Sequence, residues 1–278
     1  MKAPWRVARF NRDVPAAFLT SLVTARRDRP RFADVQFYGM FVGYPRSGHS
    51  LVGSLLDAHP DAVIAHELGA LRLFRAGFRR DQIYSLILRR DTQFTAAGRQ
   101  TRYDYAVPGQ WQGRFRTLRV IGDKKGAQST RILDAHPHVL DRVRDTVAVP
   151  LRVVHVVRNP FDNISTMAER AGSTLSGAAD AYFSLADGVE GMRRRLDHAE
   201  ILDMRHEDLI AHPATTLARL ATFMELEADR SWIEACAGIL FASPRRTREQ
   251  APWTDELVAS TLARMAERPL LRDYRFTD

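Results

Sequence analysis

The sequence predicts an α/β fold of three layers, with a mainly parallel central sheet flanked by helices on both faces. Three observations predict it. Short, unbroken apolar runs of strand length alternate with longer stretches of helical periodicity, the pattern of strands buried on both faces. A glycine-punctuated turn joins the first of these runs directly to a helical pattern. Each run is followed at once by polar or charged residues, as expected where strand ends converge on a ligand-binding edge.

The elements follow in order. An amphipathic pattern predicts a helix over 14–29, and the apolar run 35–42 reads as a buried strand. A helix over 48–58, a short strand over 62–65 and helices over 68–78 and 81–92 come next. The stretch 100–117 breaks the rhythm. The alternation Arg102-Tyr103-Asp104-Tyr105, the Pro108-Gly109 pair and the aromatics Trp111 and Phe115 predict a hairpin there. Strands over 118–122, 151–157 and 201–205 then alternate with helices near 127–145, 160–170 and 176–197. Helices over 213–225, 229–240 and 254–266 close the chain. The twice-used Leu-Asp-Ala-His-Pro at 56–60 and 133–137 marks two similar helix ends rather than a repeat. No linker interrupts the pattern, so residues 1–278 read as one domain, with a nucleotide-binding core over about 35–225 and a helical C-terminal part over 226–278.

Composition narrows the function classes. Hydrophobic residues make up 45% of the chain, but no apolar run approaches the roughly 20 residues that span a bilayer. The N-terminus turns charged again at Arg9 and Arg12 before an apolar stretch develops, which reads against a secretory leader and towards a soluble, cytoplasmic protein. Cys236 is the single cysteine, so an internal disulfide and a multi-cysteine metal site are excluded. The net charge of +8 is spread along the chain in separate arginine pairs without a nucleic-acid motif, which speaks for a solvated surface and no nucleic-acid partner. The cation type says more. The only lysines are Lys2, Lys124 and Lys125, and an interior lysine pair in a chain that otherwise uses arginine invites a chemical role for a compact, rotatable ammonium.

The turn at 43–50 reads Gly-Tyr-Pro-Arg-Ser-Gly-His-Ser. Strand, glycine loop and helix in this order make a phosphate cradle, because glycines let the backbone approach an anion and the helix N-terminus offers unpaired N–H groups. The spacing is P-loop-like, but His49 stands where a triphosphate loop carries lysine, leaving Arg46 as the loop's fixed cation. The loop is therefore expected to hold a phosphate group other than the end of a triphosphate. Other strand ends carry His66-Glu67, then Asp123 with Lys124-Lys125, and Arg158-Asn159-Pro160-Phe161-Asp162. A magnesium-dependent phosphoryl-transfer enzyme would end a neighbouring strand in aspartate. Arginine there suits a second phosphate, and the histidines show no metal-ligand spacing, so no metal is expected. A P-loop nucleotide-dependent kinase is the first alternative reading, and a non-catalytic nucleotide-binding protein the second.

On these motifs the chain resembles the sulfotransferases that use 3′-phosphoadenosine 5′-phosphosulfate (PAPS), with a layout most similar to the tyrosylprotein sulfotransferases and their bacterial relatives. The family's 5′-phosphosulfate loop resembles Tyr44-Pro45-Arg46-Ser47-Gly48-His49-Ser50. Its 3′-phosphate motif resembles the segment from Arg158 to Thr166, and a third segment resembles Arg205-His206-Glu207-Asp208-Leu209 with the following Pro213. His49 and Ser50 replace the more usual paired threonines, and His206 replaces a tyrosine beside the nucleotide.

The resemblance implies roles. Arg46, Ser47, Gly48, His49 and Ser50 would hold the 5′ end of PAPS, and Arg158 with Thr166 or Ser165 its 3′-phosphate. Lys124, with Lys125 as the other possibility, and Arg46 would neutralise charge on the leaving phosphate of the product PAP. Glu67 would be the base, with His66 adjacent. Arg245 lies in a late basic loop, 243–248, that either folds over the nucleotide or is a solvated turn. The aromatics of 100–117 either line an acceptor pocket or pack under an insertion. The acceptor stays open among protein tyrosine, carbohydrate, lipid and small alcohol or phenol, with a bacterial-type acceptor such as a glycolipid or secondary metabolite favoured. The sequence sets no oligomeric state.

Overall fold

The structure, a computed structural model, describes residues 5–101 and 103–278, with side chains from Val14 onward. The N-terminal residues 1–4, part of the stretch read against a secretory leader, lie outside the described residues.

Five strands form one sheet: β1 (Phe37–Gly43), β2 (Ala62–His66), β3 (Val120–Lys124), β4 (Leu151–Val157) and β5 (Ile201–Arg205). Their order is β2-β3-β1-β4-β5, and every pairing is parallel. Parallel neighbours require crossovers, and the helices supply them on both faces. In chain order these are α1 (Trp5–Asp28), α2 (His49–Asp57), α3 (Ala70–Arg75), α4 (Arg80–Ala96), α5 (Gly126–Ala135), α6 (His138–Val147), α7 (Pro160–Ala171), α8 (Leu175–Arg193), α9 (His206–Ala211), α10 (Pro213–Phe223), α11 (Arg230–Ala237) and α12 (Asp255–Ala266).

Alternation along β1 divides the core. Tyr38, Met40 and Val42 pack on one face with residues of α3, α4 and α6. Phe37 and Phe41 pack on the other with residues of α2, α10 and α11. This is the period of two that a strand buried on both sides must show. A third cluster joins Tyr44 to α7, α8 and α12. Gly122 in β3 faces Gly39 in β1 so closely that a Cβ on it would meet the Gly39 carbonyl oxygen at 2.1 Å.

Three expectations are corrected. Arg102 lies outside the described residues; among those described, the segment 100–117 forms no hairpin, its one bridge joining Gln100 to Asp104, and the Gln112 side chain supplies contacts a second strand would have made, accepting from Val107 N and donating to Tyr105 O. The helix expected near 127–145 is two, broken at Pro137. The first helix runs from Trp5, through Pro15. Among the described residues no helix is long and apolar enough to cross a membrane.

Candidate active site

Because all five strands run the same way, their carboxyl ends meet along one edge, and the register fixes what meets there. His66 pairs with Lys124, Gly43 with Val156, and Val157 with Arg205. The loop after β1, the Glu67 turn after β2, the lysines at the end of β3, Arg158 after β4 and His206 after β5 thus share one rim. A cleft of about 1380 Å³ opens on it.

The loop after β1 is held by its backbone. Arg46 and Gly48 take left-handed φ values of 72° and 98°. The Asn163 side chain donates to Pro45 O at 2.8 Å, Gly43 N donates to Thr130 Oγ1 at 2.8 Å, and Tyr44 stacks on Tyr182 at 4.3 Å. A Cβ on Gly48 would lie 2.5 Å from His206 Nδ1, so only glycine lets the loop pack on that ring. No side chain caps α2 at Gly48, and Gly48, His49 and Ser50 line the cleft, offering first-turn N–H groups to an anion, while the Leu51 N–H donates to Gly48 O at 2.9 Å.

Beyond the loop, Lys124 Nζ donates to Ser50 Oγ at 2.7 Å and to Glu67 Oε1 at 3.1 Å, while Lys125 Nζ donates to Glu67 Oε2 at 2.7 Å. Glu67 itself takes φ 60°, and its N–H donates to Lys124 O at 3.1 Å. The turn is pinned by Asp123, whose carboxylate accepts from the backbone N–H groups of Leu68, Gly69 and Ala70 at 2.9, 2.7 and 2.8 Å. Burial works to raise the Glu67 pKa, but the two ammoniums more than offset it and hold the carboxyl well below its usual range. Burial pushes Lys124 down to about 8 against the pull of Glu67. The partners differ because the Lys124 side chain is 1% exposed and that of Glu67 38%.

At the far end of the cleft, Arg158 donates to the Arg245 carbonyl, and Thr166 Oγ1 lies 3.1 Å from Thr247 Oγ1. The segment 243–248 packs on α7, because buried Asp162 accepts from Arg248 N at 3.0 Å and pairs with the Arg248 guanidinium at 2.5 Å. Glu207 ties the two late motifs together by accepting from Asn159 N at 2.8 Å. Burial, with the Arg158 charge, pushes His206 down to about 4, so it is neutral at pH 7.

Residues 40–230 match the model of the sulfotransferase family. The chain belongs to that family. Among solved structures, it is similar to the sulfotransferase domain from the curacin biosynthetic pathway, at 15% identity over 84% of this chain and 98% of that one, with a TM-score of 0.53. Sulfotransferase STF1 from Mycobacterium tuberculosis H37Rv is 16% identical over 91% of this chain and 84% of its own, with a TM-score of 0.53. At these identities the structural likeness speaks for the fold alone. No curated protein matches by sequence.

In this sulfotransferase the predicted site residues divide. Arg46, Gly48, His49, Ser50, Glu67, Arg158, Thr166, His206 and Arg245 line the cleft. Lys124 reaches its wall through Ser50 and Glu67. Ser47 is turned inward, donating to Tyr44 O at 3.2 Å, and Ser165 is engaged by Phe161 O at 2.7 Å and Trp253 Nε1 at 2.9 Å. His66 is buried, stacked on Phe94 at 4.1 Å and pushed down to about 3 by burial and the Lys124 charge, so the structure does not bring it to the cleft. His49, also pushed to about 3 by burial, stays neutral and does not replace a loop lysine. Tyr103 and Tyr105 line the cleft, with Arg46 donating to Tyr103 OH at 3.3 Å. Trp111 and Phe115 instead meet Arg114 and Arg31.

Sequence reasoning missed Thr247 and the carboxylate work of Asp123. Thr247 carries no signal of its own in a loop of arginines. An aspartate closing an apolar strand is visible in the sequence, but its partners Leu68, Gly69 and Ala70, in a distant part of the chain, are not. Four buried atoms of cleft-lining residues have no hydrogen-bond partner among the described residues: Arg46 Nε, Arg158 Nε, His206 Nδ1 and Gln128 Oε1. The two guanidinium N–H groups are donors left unsatisfied in the cleft, which fits an anionic ligand.

Proposed function

We propose that this sulfotransferase moves a sulfuryl group from PAPS to a hydroxyl acceptor, with Glu67 taking the acceptor proton. The observation that supports this reading is that one cleft is lined by two separate candidate anion sites, Arg46 with the start of α2 and Arg158 with Thr166. Two such sites suit a nucleotide charged at both its 5′ and 3′ ends.

PAPS would supply the sulfuryl group, whose bond to the 5′-phosphate oxygen breaks as the acceptor oxygen bonds to sulfur. The remaining work belongs to the chain. First-turn amides of α2 and Arg46 hold the 5′ end, and Arg158 with Thr166 holds the 3′-phosphate. Lys124 and Arg46 neutralise the charge that grows on the leaving phosphate, the main requirement of a loose in-line transfer. Glu67 accepts the acceptor proton. Its two lysine partners make it a weak base in the free protein. An anion in the cleft competes for those ammoniums, which raises the Glu67 pKa towards a working range as the co-substrate arrives. Coupling of this kind arms the base only when the sulfuryl donor is bound.

The test is incubation with labelled PAPS and an acceptor panel or cell extract, with identification by mass of what gained the group. Labelled product that disappears in Glu67→Gln supports the proposal. Transfer of a phosphoryl group from magnesium ATP, with none from PAPS, would replace it with a kinase.

A further inference from the structure

Helix α1 gives part of its inward face to polar residues. The side that packs on α4 carries Ser21, Thr24 and Asp28, and these are satisfied there by hydrogen bonds: Gln82 Nε2 donates to Ser21 Oγ at 3.0 Å, and Ser85 Oγ reaches Thr24 Oγ1 at 2.7 Å and Asp28 Oδ2 at 2.8 Å. Ser21 and Asp28 are fully buried. Val14 and Ala17 pack against the core on the inward side, Ala25 is buried there, and Phe18 meets the buried Phe78 edge-on at 5.3 Å. The outward side nonetheless carries large aliphatic residues. Leu19, Leu22 and Val23 are 68%, 52% and 76% exposed, and Phe18 beside them is 41% exposed. These four are the exposed large hydrophobic side chains of the described residues apart from Phe241. A surface helix ordinarily turns its apolar stripe to the core and its polar stripe to water. Here Ser21, Thr24 and Asp28 take inward positions while Leu19, Leu22 and Val23 stay outside, an aliphatic stripe left for something beyond the chain.

The charges around the stripe indicate what that is. Leu19, Leu22 and Val23 are followed on the same side by exposed Arg26 and by Arg27, which donates to Asp28 at 3.1 Å, and the helix sequence holds Arg6, Arg9 and Arg12 against two acidic residues, Asp13 and the buried Asp28. An apolar stripe with arginines beside it matches the boundary of an anionic bilayer, where aliphatic side chains enter the acyl region and guanidiniums meet phosphates. A second copy fits less well. It would bring together two chains of net charge +8 over a few side chains, whereas a stable interface buries about 1,200 Å² or more. We propose that the outward face of α1 docks the protein on an anionic membrane surface. The same helix, through Val14 and Ala17, walls a cavity of about 230 Å³ with Glu67, Leu68, Arg72 and Arg90, so the docked element borders the turn that carries Glu67.

Vesicle binding tests this without turnover, so its outcome is separate from that of the transfer reaction. The full chain should cosediment with phosphatidylcholine vesicles containing phosphatidylglycerol, not with phosphatidylcholine alone, and should be released in 1 M salt, where the Debye length falls to about 3 Å. Leu19→Glu with Leu22→Glu should lower the bound fraction about tenfold or more, with melting temperature and PAP binding unchanged because both positions face outward. Arg26→Gln with Arg27→Gln should weaken binding while leaving the stripe intact. Absence of wild-type cosedimentation, or binding that survives both pairs of substitutions, would overturn the inference. So would a dimer in sedimentation velocity that the glutamate pair dissociates without any vesicle binding, since the face would then be a self-interface.

Discussion

Glu67 Oε1 and Lys124 Nζ stand 3.1 Å apart across the ends of β2 and β3, and Lys125 closes on Glu67 Oε2 at 2.7 Å. The candidate base and the cation proposed to neutralise the leaving phosphate therefore hold each other in the free protein.

Glu67→Gln keeps shape and removes basicity. It should lower kcat by roughly 10² to 10⁴, the usual weight of a positioned base, without weakening PAP binding near neutral pH, since the variant removes the carboxylate that competes with the anion for the two lysines. His66→Ala should lower melting temperature by emptying the space beside Phe94 and leave kcat nearly intact. Steady-state kinetics and calorimetric titration of both variants decide between them, and collapse of His66→Ala with an active Glu67→Gln would move the base to His66.

Lys124 gives binding a pH signature. Its pKa lies at about 8 in the folded protein against an ordinary 10.5, so it loses charge as pH rises through 8. The PAP dissociation constant should then rise about tenfold between pH 7 and 9, as titration of one required cation dictates. Lys124→Ala should bind more weakly and lack the inflection. The sign for stability is the reverse: the folded chain binds fewer protons than the unfolded one between about 8 and 10.5, so this group makes the ligand-free protein more stable as pH rises through that window. Titrations at several pH values and melts of the free protein check both.

Gly48→Ala meets two obstacles, a left-handed φ of 98° and a Cβ 2.5 Å from His206 Nδ1. The backbone part costs about 1–2 kcal/mol, and PAP affinity should fall about tenfold or more. Adding His206→Ala should recover the steric part and leave the backbone part. Unchanged affinity in the single variant would mean the loop does not hold the ligand.

Arg99, with φ 53°, sits buried between Asp57 at 2.6 Å and Asp91 at 2.8 Å. Arg99→Ala strips the buried cation from Asp91 and from Asp57, whose carboxyl burial and the Asp91 charge push well up, and unfolding in urea should show a loss of about 3–5 kcal/mol. The segment 100–117 that starts beside it carries Tyr103, so loosening of the cleft should accompany the loss.

Much of this was legible in the chain. Strands β4 and β5 fall at 151–157 and 201–205, as their apolar runs predict, because strands buried on both faces need unbroken hydrophobicity. β3 was read two residues early. Asp123 and Lys124 look like loop residues, yet they belong to the strand, since three backbone amides satisfy the first and Ser50 with Glu67 the second. The loop at 43–50 and Arg158 were visible from local spacing. Which hydroxyl faces the cleft, Thr166 or Ser165, was not, because that depends on Trp253 arriving from a distant segment to occupy Ser165. The alternation at 103–105 misled for the same reason: its tyrosines serve the cleft rather than a partner strand.

The most direct test of the two-grip account is calorimetric titration of the protein with PAP, ADP and AMP in the presence of a chelator. PAP should bind at least about tenfold more tightly than either, one charge-assisted contact being enough for that factor. Arg158→Ala should abolish the preference and leave AMP binding unchanged. Equal affinity for PAP and AMP, or ATP binding that appears only when magnesium is restored, would contradict the account.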